Sequence, residues 1–400
     1  MADQPLSGIK VLDLTNHITG AFCAKQFADY GADVIKIEKI GRGCHTRHMP
    51  PFIDDKPDLD SSLYFQYLNT NKKSITLNLK TKTGKIIFKN LISKADILIE
   101  SFSPGVMLKL ELNYEILEKI NPRLVMASIT NFGQTGPYRD YKASDLVEFA
   151  MGGAMSSTGL PQLNPINKAR DACLFESGLQ SWYAIMGVYM GTLRDNIGDY
   201  IDLSIMETQL AGCERRTSHL LTYQYTGDIS LRVDPFTKIG IAPRMQRTKD
   251  GFINLVIGPS RFAKFMELIG QKDLLDDPSW NIFNMEKQAE AQKLFDICFS
   301  QKTRKEWASL FQNEGMICTP LNKPEDICND EHWNDREFFR EVNHPHFGTI
   351  KLPRGAVRVS PDWWQVHRSA PTLGQDNTEV YGSIGYSIPD QSLLKANAVI

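Results

Sequence analysis

Over the first 130 residues, short β-rich runs alternate with amphipathic helical stretches, and this alternation limits the fold more than any other feature. Ile9–Leu14, Asp33–Glu38, Ser74–Leu79, Ala95–Glu100 and Leu124–Thr130 read as strands, while Ala21–Tyr30, Lys82–Ser93 and Tyr114–Ile120 carry helical spacing. Strands separated by helices argue for βαβ units and a parallel sheet. Leu174–Gly191 is long and largely apolar, which predicts a helix buried on most faces, at a domain or subunit contact. From Asp228 to Arg247 the periodicity lapses, suggesting a boundary. A smaller α/β unit begins at Gly251-Phe252-Ile253-Asn254-Leu255-Val256-Ile257 and runs to about Asp330. The remaining stretch, rich in Pro, His and Trp, holds strand-like runs such as Gly348–Leu352. The expected layout is therefore a large domain over 1–225, a small α/β domain over 226–330 and a C-terminal segment over 331–400.

A chain of 400 residues with 42% hydrophobic content can bury a substantial core in about two to three domains. The net charge of −2 argues against a general nucleic-acid surface. Seven cysteines, an odd number without CxxC pairs, fit free thiols in a reducing compartment better than a disulfide framework. The first twenty residues lack the basic and apolar regions of a secretory leader, and no apolar run approaches the roughly 20 residues of a membrane span. The expectation is a cytoplasmic protein.

Several local motifs carry little. Gly41-Arg42-Gly43 follows a strand, but position 46 is Thr and Pro50-Pro51 forbids the helix a dinucleotide fingerprint requires. Cys44, His45 and His48 have ligand chemistry without the spacing of a closed zinc site, so no metal is expected. There is no GxSxG elbow and no Walker A loop.

Longer strings are more specific. Leu68-Asn69-Thr70-Asn71-Lys72-Lys73-Ser74-Ile75-Thr76-Leu77-Asn78-Leu79 is followed by Ala95-Asp96-Ile97-Leu98-Ile99-Glu100-Ser101-Phe102-Ser103-Pro104-Gly105. Asn121-Pro122-Arg123-Leu124-Val125, Phe132-Gly133-Gln134-Thr135-Gly136-Pro137-Tyr138, the strand-like Asp199–Glu207 and Ala370-Pro371-Thr372-Leu373-Gly374 complete six ordered matches. Together they resemble the family III CoA-transferases, of the carnitine/formyl-CoA transferase (CaiB/BaiF) type, over nearly the whole chain. The resemblance implies a Rossmann-like large domain completed by the C-terminal segment, a smaller α/β domain, and two chains interlocked as a dimer. It implies acyl-CoA and a free carboxylic acid as substrates, with no permanently bound cofactor.

Coenzyme A carries a diphosphate and a ribose phosphate, so its site needs cations. By match to family positions the candidates are Lys39, Arg42, Arg47, Lys72, Lys109 and Lys142, with Phe102 packing against the nucleotide or pantetheine. The family's chemistry uses a side-chain carboxylate that attacks the thioester, giving a mixed anhydride and then an aspartyl-CoA thioester. The turn Asn16-His17-Ile18-Thr19-Gly20 matches the first active-site loop, and Thr19 is the candidate oxyanion donor through its backbone.

One departure stands out. Most members place the nucleophilic Asp four residues before the Gly that opens the long apolar helix; here that position is Leu174, ahead of Gly178. Asp171 is the nearest aspartate, at a spacing that resembles relatives acting on benzylsuccinate-like acids, and its alternative role is a helix N-cap. Glu176 is the second candidate, and a third reading has no catalytic acid in this chain, making it a non-catalytic subunit beside a paralogous partner. An acyl-CoA racemase is disfavoured because Ala143-Ser144-Asp145 stands where racemases carry their histidine. The Asp171 spacing leans toward a dicarboxylic or aromatic succinate acceptor with succinyl-CoA as donor.

Overall fold

The computed structural model describes residues 4–212, 216–229, 232 and 241–400. It divides into two compact units, the first comprising Met1–Ser156, Ile166–Ser230 and Glu337–Ile400, the second Ser157–Pro165 and Leu231–Arg336.

The first unit is built on six strands: β1 (Lys10–Leu14), β2 (Asp33–Glu38), β3 (Lys73–Thr76), β4 (Ile97–Glu100), β5 (Val125–Thr130) and β6 (Tyr200–Ser204). They run in the order β3-β2-β1-β4-β5-β6, every neighbouring pair parallel. Around them lie α1 (Ile18–Asp29), α2 (Leu63–Leu68), α3 (Lys82–Ile92), α4 (Val106–Lys109), α5 (Tyr114–Leu117), α6 (Asp145–Met151), α7 (Ala172–Asp195) and α8 (Ile205–Ala211).

Successive strand residues point to opposite faces, so one sheet fills two cores. Val11, Ile97, Ile99, Val125 and Ala127 pack with Phe27 and Ile185 from α1 and α7. Leu12, Leu98 and Met126 pack with Ile87, Phe88 and Leu91 of α3 and with Tyr381, Val399 and Ile400. Burial at every position of β4 and β5 follows, as it does for parallel sheets covered on both sides. Beyond β3 the C-terminal segment takes the place of another strand. Asp376 and Asn377 accept the Ser74 and Thr76 N–H groups at 2.8 and 2.9 Å, and the Tyr381 hydroxyl donates to the Thr76 carbonyl at 2.5 Å. This closes an edge that would otherwise invite pairing with another chain.

Two local expectations need correction. The Asp199–Glu207 run is not all strand: β6 ends at Ser204, whose hydroxyl accepts the Glu207 N–H and starts α8. Helix α7 is not buried on most faces. One side packs tightly on α1 because Gly178 lacks a Cβ, which would lie 2.7 Å from the Thr19 carbonyl oxygen. On the other side Leu179, Tyr183, Met190 and Leu193 are all 45% exposed or more.

In the second unit, β7 (Met245–Arg247), β8 (Phe252–Val256) and β9 (Ile317–Pro320) form an antiparallel sheet. Its core is aromatic, with Phe265, Phe295, Phe299, Trp307 and Phe311 all at most 3% exposed. Ser157–Pro165, which the linear reading places in the large domain, belongs to this unit by its contacts.

Candidate active site

Strand order reverses between β1 and β4 in the first unit, so the loops leaving their carboxyl ends diverge to opposite faces. A crevice opens there, the usual ligand site of such sheets. A cavity of about 650 Å³ occupies this place. Its walls are Asn16, His17, Thr19 and Gly20 after β1, Ser101–Pro104 after β4, Ile129–Asn131 at the end of β5, and the loop Arg139–Asp145. Asp171 and Arg170, at the start of α7, complete the rim, with Glu148 of α6 lining the wall.

Asp171 occupies the N-cap position of α7, but its side chain makes no capping bond. Its backbone is left-handed (φ 61°), which is uncommon outside glycine and costs of order 1–3 kcal/mol. Two contacts hold it so. The Tyr64 hydroxyl on α2 donates to Asp171 Oδ2 at 2.7 Å, and the Asp171 N–H donates to Asp145 Oδ2 at 3.2 Å. Asn167 Nδ2 donates to the same Asp145 oxygen at 3.0 Å, and Arg170 Nε lies 3.6 Å from Asp171 Oδ2. A carboxylate presented on a cavity wall in a conformation that its own helix does not exploit is suited to a task other than capping. Glu176 is placed differently: it pairs with Lys168 and is not among the cavity-lining residues.

Opposite Asp171 the α1 helix begins. Its N-cap residue His17 offers no side-chain bond, so among the described residues the first-turn N–H groups around Thr19 and Gly20 have neither an intrahelical nor a capping partner. That helix terminus carries partial positive charge at the cavity wall. The preceding turn is fastened by Asn16, whose N–H donates to Ser101 Oγ at 3.0 Å and whose Oδ1 accepts the His45 N–H at 2.9 Å. His17 and His45 stack at 5.0 Å.

The candidate cations separate into two groups. Lys142 lines the cavity, as does Phe102, whose N–H donates to Glu100 at 2.7 Å. Lys39, Arg42 and Lys109 are exposed and do not line it. Arg47 and Lys72 must be taken off the phosphate-binding set, because both are fully buried. The Lys72 ammonium spends its three donors on Asp13 Oδ2 (2.9 Å), the Ala21 carbonyl (2.9 Å) and Asn69 Oδ1 (3.0 Å). Arg47 is equally committed: Nε and Nη2 grip the Glu38 carboxylate at 2.8 Å each, Nη1 reaches Asp60 at 2.5 Å, and the Leu59 and Pro371 carbonyls take the rest. Neither has a donor left for a phosphate.

Sequence reasoning missed Tyr64, Glu148, Arg139 and Arg170. Glu148 was the most legible of them, an acid inside the apolar run Leu146-Val147-Glu148-Phe149-Ala150-Met151. Tyr64 gave no local sign, since its partner is 107 residues away. The Cys44 thiol faces Thr46 Oγ1 at 3.1 Å, His48 Nε2 bonds the Arg42 carbonyl, and no cluster able to hold a metal occurs among the described residues.

Fold and pocket together define an α/β protein with a carboxylate-lined cavity at the switch point of a parallel sheet. Comparison with known proteins carries this to a family. The CoA-transferase family III profile matches residues 6–377. The chain is 30% identical to succinyl-CoA:glutarate CoA-transferase of Mus musculus, over 94% of this chain and 86% of that protein. It is 32% identical to formyl-CoA:oxalate CoA-transferase of Streptomyces avermitilis, over 99% and 100% respectively. The crystal structure of a CaiB/BaiF family protein from Brucella suis superposes with a TM-score of 0.86 at 28% identity, covering 96% of this chain and 100% of that one. The chain belongs to CoA-transferase family III. It is an enzyme that transfers CoA between an acyl-CoA and a carboxylic acid.

Proposed function

We propose that this enzyme moves CoA from succinyl-CoA to a dicarboxylic acid through covalent intermediates on Asp171. The observation that carries the reading is the placement of Asp171: on the cavity wall, 6% exposed, held by Tyr64 and by its own backbone bond to Asp145.

In the first step an Asp171 carboxylate oxygen bonds to the thioester carbonyl carbon, and the C–S bond breaks to release CoA thiolate and leave an aspartyl–succinyl anhydride. The thiolate then attacks the aspartyl carbonyl, freeing succinate and leaving an aspartyl-CoA thioester. The acceptor carboxylate attacks that thioester, and its C–S bond breaks to expel CoA thiolate and leave an aspartyl–acceptor anhydride. The thiolate then attacks the acceptor's acyl carbon, breaking the anhydride C–O bond to give the new acyl-CoA and restore Asp171. No redox partner or net proton is needed. Each tetrahedral oxyanion requires a donor, and the uncapped N–H groups at Thr19 and Gly20 supply one. Lys142, Arg139 and Arg170 supply positive charge at the rim for the CoA phosphates and for a second carboxylate on the acid. The named activities of the two relatives, on glutarate and on oxalate, support a dicarboxylic acceptor.

The expected assembly is an interlocked dimer, and the exposed apolar side of α7 supports a partner there. Among the described residues no helix is long and apolar enough to cross a membrane. The test is an assay of the purified chain alone with succinyl-CoA and labelled glutarate, oxalate or succinate. Label entering the CoA thioester pool is the expected result. Transfer only after a paralogous chain is added would instead make this a half-site subunit.

A further inference from the structure

Four carboxylates line the cavity, and three of them are engaged: Asp140 pairs with Arg139, Asp145 binds the Asp171 N–H, and Asp171 receives Tyr64. Glu148 has no such employment. It lies one turn after Asp145 on α6, is 1% exposed and lines the cavity, and its Oε2 has no hydrogen-bond partner among the described residues. Leaving a buried ionised carboxylate unpaired is costly. Burial, and then the charge of Asp145, push the Glu148 carboxyl up to about 7.

The groups around it give the acid form no reason to ionise. On its own helix stands Asp145; from α7 come Asp171 and the thiol of Cys173, itself raised to about 12 by burial and by Glu148. On α8 the only charged side chain is Glu207, which is exposed. His17, Arg139, Lys142 and Arg170 share the cavity lining, yet none forms an ion pair with Glu148 among the described residues. A free acid entering this pocket brings a negative charge toward Asp145 and Asp171. An ionised Glu148 would repel it further, whereas a carboxylic acid has a proton to offer.

Resting on the reading of this pocket as the transfer site, we propose that Glu148, as the neutral acid, donates a hydrogen bond to the carboxylate of the free acid substrate. One oxygen of that carboxylate accepts the proton of Glu148, and the other is left to attack. Such a bond is charge-assisted, and it exists only for the free acid, since the thioester has no carboxylate at its reacting end. Glu148 thus acts wherever the free acid is present, as the acceptor attacks and, in reverse, as the donor's acid departs.

The experiment is isotope exchange between succinyl-CoA and labelled succinate, run from about pH 6 to about pH 9 with the wild type, Glu148→Gln and Glu148→Met. In the wild type, kcat/KM for succinate falls about tenfold per pH unit above the Glu148 transition, because the donating proton is lost. Glu148→Gln, an amide donor at every pH, starts severalfold lower and stays flat. Glu148→Met is low throughout, and kcat/KM for succinyl-CoA falls with it, because the departure of succinate is the reverse of its attack. A Gln variant that falls with pH like the wild type, or a Met variant with unaltered succinate kinetics, overturns the proposal and leaves the transfer reading standing. Absence of exchange in the wild type overturns both. Thermal unfolding of the Met variant separates a misfolded protein from one lacking the donor, and the isosteric Gln variant keeps the test decisive.

Discussion

Two sets of charged side chains in the first unit look alike by residue type and behave oppositely. Beneath β1 to β3, Asp13, Lys36, Lys72, Glu38 and Arg47 are fully or almost fully buried, and their bonding capacity is spent on one another and on neighbouring carbonyls and side chains. Burial alone would raise the Asp13 and Glu38 carboxyls. The ammonium groups of Lys36 and Lys72 outweigh it for Asp13, and the Arg47 guanidinium outweighs it for Glu38, so both fall to about 2. Lys72 shares its one carboxylate with Lys36, and burial brings it down to about 8. At the cavity, by contrast, Asp171 is in a strained conformation and Glu148 keeps an oxygen without a partner among the described residues. Capacity left unspent marks the place where a substrate can be engaged. The satisfied set still serves that place indirectly: Lys36 donates to the Thr15 carbonyl at 3.0 Å and Asp13 accepts the Thr15 N–H at 2.9 Å, which fixes the chain as it enters the Asn16–Gly20 turn.

The comparison is broken or sharpened by variants on either side of it. The largest effect belongs to Asp171→Ala, which is expected to lower transfer on the order of a thousandfold or more with thermal unfolding little changed. Full turnover in that variant would remove the residue from the mechanism. Arg47→Met comes next, and it should act on the fold rather than on CoA affinity. It leaves Glu38 buried without its partner, costing about 3–5 kcal/mol in denaturant unfolding. A raised KM for acyl-CoA with unchanged stability would return Arg47 to the phosphate site.

Acid is a third probe of the satisfied set. Asp13 and Glu38 titrate lower in the folded state than in the unfolded chain. Their stabilisation is therefore complete above the ordinary carboxylate range and is lost as pH falls from about 4 toward 2. The loss should be roughly 2–3 kcal/mol apiece, read from unfolding midpoints in that window. Midpoints that do not move between about pH 4.5 and about pH 2.5 would contradict it. The smallest effect is that of Tyr64→Phe. Removing the hydroxyl frees Asp171 Oδ2, and kcat is expected to drop about tenfold while KM for acyl-CoA stays within about twofold. If KM alone changed, Tyr64 would be a binding residue rather than a positioning one.

Much of the fold was legible because sheet and helix periodicity are local. The Asp33–Glu38 strand has the observed limits, and the Lys82–Ser93 helix is off by one residue. The long apolar helix is legible, but composition does not tell which of its faces packs on α1; that contact depends on Gly178 meeting the Thr19 carbonyl, far away in the chain. Within the site, Thr19, Phe102, Lys142 and Asp171 lie on the cavity, whereas Arg47 and Lys72 do not. The misplacement has a physical origin. Lysine beside a polar turn reads as exposed unless an inward partner is known, and the partner of Lys72 is Asp13, 59 residues earlier. Tyr64 and Asp171 illustrate the same limit, since a hydrogen bond between a short helix and a distant helix start leaves no periodic trace.

The central claim is that an activated acyl or CoA group resides on Asp171. Rapid quenching of the enzyme with succinyl-CoA in the absence of acceptor, followed by mass spectrometry of its peptides, tests this directly. The expected result is a succinyl or CoA adduct on the peptide that contains Asp171, absent from the Asp171→Ala variant and discharged by added glutarate. An adduct that persists in that variant, or one mapped to Glu176, would contradict it.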